Sequence, residues 1–225
     1  MTTSKLSKEL SELRRRKIAE GLESAKYELA LARYDRGLSC LDGVASIAAE
    51  EGTEVPELPG LVRTMREGYM GSNLAQVQRI MMTGRSGTTY MNFYEKGLQI
   101  LRSLERSYRK WSMPVPEERV AELKRIGVQT LLATADELIQ KGSNLHIALT
   151  RLDKAEQYGS SLGVDVSAVD ELRRQLYDVG IRNYLRDAVI ALAKMKEYAS
   201  VIGSTLAEGA ASGAISLLEE LVRAE

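Results

Sequence analysis

The sequence predicts an all-α fold, built from antiparallel helix pairs of about 50–60 residues stacked as a short α-solenoid. Three observations carry that expectation. The first is an internal repeat. Tyr34-Asp35-Arg36-Gly37-Leu38, Leu41 and Val55-Pro56-Glu57 return sixty positions later as Tyr94-Glu95-Lys96-Gly97-Leu98, Leu101 and Val115-Pro116-Glu117. Seven of these positions are identical, where about one or two would coincide at ordinary composition. A third copy, fifty-one positions further on, keeps Leu149, Leu152 and Val166 and has Ala148 in place of Gly97. The second observation is an independent marker with nearly the same spacing: Glu12-Leu13-Arg14-Arg15, Glu122-Leu123-Lys124-Arg125 and Glu171-Leu172-Arg173-Arg174. The third is that apolar residues recur at a helical period, with only four prolines in 225 residues.

The elements follow in order. Leu6, Leu10, Leu13, Ile18, Leu22, Ala25 and Leu29 lay one apolar stripe on a helix over 4–32. Arg14-Arg15-Arg16-Lys17 points charge around that helix and reads as a solvated face with local partners such as Glu12 and Glu20. Over 33–51, Leu38, Leu41, Val44, Ala45 and Ala48 face inward. Gly37 in mid-helix costs about 1 kcal/mol relative to Ala, and its return as Gly97 and Ala148 implies a close helix approach. Gly52 stops this helix, and Val55-Pro56-Glu57 starts the next, over 57–82, in which Gly68 and Gly71 mark a kink. A Gly/Ser/Thr loop covers 83–89. It has no Lys, its glycine spacing is wrong for a phosphate loop and no strand precedes it.

A helix over 90–112 puts Tyr94, Gly97, Leu98, Leu101, Leu104 and Tyr108 on one side and Glu95, Gln99, Arg102, Arg106 and Arg109 on the other. Pro114 and Pro116 separate it from a helix over 117–141. Asn144 is the expected N-cap of a helix over 145–162 that Gly163 ends, and Ser167 is the expected N-cap of a helix from 168. The stretch 168–207 reads either as one helix or as two with a turn near 193. Gly209 to Gly213 reads as a turn before a terminal helix over 214–224. The four pairs are then 4–51, 57–112, 117–162 and 168–224. One pair cannot bury its apolar face alone, so they form a single domain over 1–225.

On these recurring Gly-Leu and Tyr positions the chain resembles, at pattern level and over nearly its whole length, the tetratricopeptide-like class of helical repeats. Its period is longer than the class's 34 or so residues, and the Trp-x-x-Leu-Gly-x-x-Tyr signature is absent. The resemblance implies an interaction scaffold and carries over no functional residue.

Lys plus Arg and Asp plus Glu balance at 31 each, so the whole molecule has no bias toward nucleic acid or membrane. With one cysteine there is no disulfide framework. No apolar run reaches the eighteen or so residues of a span, and residues 1–20 lack a signal core, so a soluble cytoplasmic protein is expected. His146 is the only histidine. It lacks the partners of a nucleophilic or multi-histidine metal site and reads as structural. Cys40, on a mostly apolar helix, reads as an inert buried thiol. Adjacent carboxylates such as Glu50-Glu51 and Glu219-Glu220 diverge by about 100° on a helix and do not make a catalytic pair. No enzyme and no cofactor or metal is therefore expected.

One distributional signal remains. Residues 60–115 hold nine Lys/Arg against three Glu, six of the twelve aromatics and six of the eight methionines. Arg, Met and aromatic residues are enriched at interfaces, although Met and aromatic stripes at helical spacing also fill cores. The expected function is a non-catalytic scaffold for protein–protein interaction or self-assembly. Its expected contact residues are Arg85, Arg102, Arg106, Arg109, Lys110 and Trp111. The alternative is an RNA- or ribosome-associated factor using the basic stripe of residues 79–110 against phosphates.

Overall fold

The computed structural model describes residues 2–84 and 93–224, with side chains for 8–84 and 93–221. Every element among them is a helix: α1 Thr2–Ala30, α2 Tyr34–Glu51, α3 Leu58–Thr83, α4 Phe93–Lys110, α5 Glu117–Gln140, α6 Leu145–Leu162, α7 Val169–Val201 and α8 Thr205–Ala224. Adjacent helices pack in antiparallel pairs, the arrangement of a solenoid-like repeat. The chain divides into two compact units, Met1–Arg79 with Ile100–Val115, and Ile80–Gln99 with Pro116–Glu225.

The repeat of the sequence is a repeat of structure. The three marker helices α2, α4 and α6 are each 18 residues long. Each ends on a left-handed residue at the equivalent position: Gly52 (φ 61°), Ser112 (φ 52°) and Gly163 (φ 66°). The following amide then closes the helix by donating back to the carbonyl of Ala48, Tyr108 or Gly159. A side chain at the start of each marker helix lies on a glycine of the next helix: Tyr34 on Gly68, Tyr94 on Gly127 and Leu145 on Gly180. A Cβ on Gly68 or Gly127 would fall inside the tyrosine ring's contact distance, so these glycines make room for an aromatic. Gly37 and Gly97 likewise each receive a methionine, Met65 and Met81, which is the close approach their recurrence implied. Ala148 takes that place in the third copy with no exposed surface.

The second marker has a physical role as well. In the first unit, Arg14 of α1 hydrogen-bonds Glu51 at the end of α2 and pairs with Glu50 at 3.5 Å. In the second unit, Arg125 of α5 donates to the Leu162 carbonyl at the end of α6, 3.0 Å away. Both arginines reach 37 residues along the chain to the last residue of a marker helix. Cations there face the negative end of the helix dipole. The basic run at 14–17 is thus only partly a solvated face: Arg16 pairs locally with Glu20 as expected, whereas Arg14 fastens two helices.

In the first unit, one core gathers Ile18, Leu22, Ala25, Leu41, Val44, Ala48 and Met65, and another gathers Met70, Leu104 and Tyr108. In the second, Ala135, Ile139, Ala148, Leu152, Val169 and Leu176 join α5, α6 and α7.

Several local expectations are corrected. Leu10 and Leu13 are about half exposed, so the apolar stripe of α1 is buried only from Ile18 on, and Ala45 faces solvent. Pro56 sits in a turn closed by the Leu58 amide, and Pro59 occupies the first turn of α3 instead. Asn144 holds the N-cap position without a side-chain capping bond. Its φ of 54° shows that it is there for the left-handed backbone that Asn tolerates. Ser167 is not a cap: its amide donates to Asp165, and α7 starts at Val169. There is no turn near 193, where Ala-Leu-Ala-Lys continues the helix, and α7 runs on to Val201 before Gly203 turns the chain. Nor is there a turn at Gly209–Gly213. Those residues lie within α8, where packing on α7 through the fully buried Ala211 outweighs the cost of two glycines.

Candidate interaction surfaces

The expected contact residues lie around the end of α4, except Arg85, which falls outside the described residues. Arg102, Arg106, Arg109 and Lys110 are exposed on the polar side of α4. Among the described residues their side chains make no ion pair, and the Arg106 guanidinium donates only to the Arg102 carbonyl. Trp111 goes elsewhere. It leaves the helix half-buried, meets Tyr69 edge-on at 5.6 Å and lies under the Arg66 guanidinium at 5.2 Å. With Leu58, Pro59, Val62, Arg66 and Met113 it lines a shallow groove of about 690 Å³ in the first unit. The cation associated with Trp111 is therefore Arg66.

Among the described residues, six of the methionines and aromatics that marked this region in sequence are interior. Met65, Met70, Met81, Phe93, Tyr94 and Tyr108 are buried. Burial raises the phenol pKa of Tyr108 and Tyr69 and lifts that of Tyr94 to about 12. Among the described ones, only Met82 is largely exposed.

The large apolar surface is at the other end of the chain. Along α7 and into α8, Tyr177, Ile181, Tyr184, Met195, Tyr198, Ile202, Leu206, Leu217 and Leu221 are each between 44% and 86% exposed. Scattered surface leucines need no explanation, but so many exposed apolar side chains at helical spacing make this face a candidate docking surface. A signal for it was present in the sequence. Helix α7 carries two apolar stripes: Val169, Leu172, Leu176 and Val179, which pack against α5 and α6, and a second at Tyr177, Ile181, Tyr184, Met195 and Tyr198 that stays exposed among the described residues. A search for helix breakers passes over a doubled stripe.

Some of the close ion pairs join different helices. Arg173 on α7 binds Asp153 at 2.8 Å and Glu156 at 2.6 Å on α6, and these two carboxylates raise its pKa further. Lys154 meets Glu95 at 2.7 Å. His146 is exposed on the first turn of α6, and Cys40 is half-buried against the first core. Among the described residues no cluster of His, Cys, Asp and Glu could hold a metal ion, and no helix is long and apolar enough to cross a membrane.

Fold and surfaces together define an all-α protein of paired helices with an apolar face on its last hairpin. No protein-family model, curated protein or solved structure matches the chain.

Proposed function

We propose that this chain is a helical-repeat scaffold that acts by binding protein, without chemistry of its own, and that the α7–α8 face is its principal docking surface. The observation that carries this reading is the exposed apolar stripe of α7 and α8. The ion pairs of Arg173 and Lys154 add support, because these charges are occupied in helix-to-helix contacts. A second reading, RNA binding, is favoured by one observation: the exposed side chains of Arg102, Arg106, Arg109 and Lys110, which have no intrachain ion pair among the described residues.

Affinity capture from native extract, with and without nuclease, separates the two. The protein reading expects partners that survive nuclease and moderate salt, disappear with Tyr184→Glu/Tyr198→Glu, and persist with Arg102→Glu/Arg106→Glu/Arg109→Glu. RNA that is lost with nuclease, falls steeply with salt and vanishes only in the arginine variant would replace it with the second reading. Capture unchanged in both variants would remove both.

A further inference from the structure

We propose that the α7–α8 face is covered by the same face of a second copy of this chain. In this arrangement α7 lies antiparallel to α7 across a two-fold axis midway between Ala188 and Ala191. The inference rests on the reading of that face as a docking surface and names its occupant.

The spacing of the uncovered stripe identifies a helix as the occupant. Tyr177, Ile181, Tyr184, Ala188, Ala191, Met195, Tyr198 and Ile202 step by four and three residues in strict alternation, the heptad seam along which one helix receives another. All but Ala188 are exposed, and Ala188 is half-buried. The seam spans about 38 Å of helix. The other stripe of α7 shows what such a seam does when it is filled: Val169 and Leu176 are almost fully buried against α5 and α6.

The order of residues along the seam identifies the second copy. Read from its middle outward, the seam is its own complement. About an axis between Ala188 and Ala191, those two alanines face each other, Tyr184 meets Met195, Tyr198 meets Ile181 and Tyr177 meets Ile202. The small layer falls at the centre, where the helices approach closest, and each tyrosine is set against an aliphatic or thioether side chain, a favourable pairing. A parallel pairing would instead stack each tyrosine on itself.

Charge agrees with the antiparallel choice. Asp187 and Lys194 are exposed, and each precedes a seam residue, Ala188 and Met195, on the same edge. Across the two-fold axis the Asp187 of one copy flanks the Lys194 of the other, twice. In the parallel pairing the position facing Asp187 is Leu192.

Area agrees as well. Leu206, Leu217 and Leu221 fall in one sector of α8 on the same side of the hairpin, together with Gly213, where an added Cβ would meet nothing of its own chain. The nine large side chains of this face together expose on the order of 1,000 Å² per copy, against the roughly 800 Å² per partner of a standard stable interface.

The test uses the full chain in solution. Sedimentation velocity from 1 to 100 µM should show a dimer whose Kd changes little with salt. Tyr184→Glu/Tyr198→Glu should weaken it by at least 100-fold without altering helix content, since Tyr184 is 79% exposed and Tyr198 66%. Single cysteines in a Cys40→Ser background read the geometry. Ala188→Cys should cross-link to itself with a short bismaleimide. Tyr177→Cys, about 38 Å from its counterpart, should not, but should cross-link to Ile202→Cys in an equal mixture. Self-cross-linking of Tyr177→Cys would overturn the antiparallel register. A dimer that survives Tyr184→Glu/Tyr198→Glu would overturn the choice of face. A wild-type monomer at 100 µM would overturn the second copy as occupant, while the docking reading itself would fall only if captured partners also persist in that variant.

Discussion

From α2 to the first half of α7, the repeated glycines are filled by neighbours; in α8, Gly209 and Gly213 face empty space. Gly68 and Gly127 lie under tyrosine rings, Gly37 and Gly97 under methionine side chains, and Gly159 against Val166. An added Cβ at Gly209 or Gly213 meets nothing within 4 Å. The same contrast runs through the aromatic residues. Tyr94 is 1% exposed and Tyr184 is 79% exposed, although both lie on the apolar side of a long amphipathic pattern. The repeats thus complete their own cores, while the last hairpin carries the residues of a core with no second side. A glycine or tyrosine at helical spacing does not by itself show that something packs there: Gly43 and Gly71 also meet nothing within 4 Å. Whether the packing partner belongs to the same chain is a separate matter.

The comparison can be broken most sharply by truncation. Leu152 is fully buried between α6 and its neighbours, so Leu152→Ala should cost about 3 kcal/mol in urea unfolding. Leu206, 86% exposed, should cost less than about 0.5 kcal/mol when replaced by alanine, measured under conditions where the chain is monomeric. Equal costs at the two sites would mean that the last hairpin is as closed as the repeats.

Alkaline pH sharpens the interior side of the comparison. The Tyr94 phenol is lifted by burial to about 12, above the ordinary value of 10. Between pH 10 and 12 the unfolded chain has lost a proton that the folded chain retains, so stability falls as pH rises. This loss is absent below pH 10 and complete above 12, and it reaches roughly 3 kcal/mol at most. Urea midpoints across this window should fall less steeply for Tyr94→Phe than for the wild type. An identical slope in both would show that the phenol is not buried.

The smallest effect differs in sign between the two regions. Gly68→Ala puts a methyl group against the Tyr34 ring and should destabilise by about 1–2 kcal/mol after the gain in helix propensity. Gly209→Ala in the Tyr184→Glu/Tyr198→Glu background meets nothing and should stabilise by up to about 1 kcal/mol. Thermal unfolding of the two variants should therefore shift in opposite directions.

Much of the candidate site was hidden for a physical reason. Arg102, Arg106, Arg109 and Lys110 were legible as an exposed face because α4 is amphipathic at a helical period. Trp111 and the methionines were not separable from them by type, since the same residues serve cores and interfaces. The apolar face of α7 was legible only as a second stripe, and a helix with two stripes has the same composition whether both are filled or one.

The sequence by itself determined the class and the period. The two copies of Tyr-x-x-Gly-Leu with their Val-Pro-Glu, the weaker third copy, the helices that carry them, and the left-handed stops at Gly52 and Gly163 follow from local backbone preference and helical periodicity, which act over a few residues. Tertiary structure alone decided which glycine accepts which ring, that Arg14 and Arg125 each hold the end of another helix, that α7 continues past 193, and that its second stripe is left uncovered. The ring-on-glycine and arginine contacts join residues 30 or more positions apart, where the energy of packing overrides propensities of about 1 kcal/mol per residue.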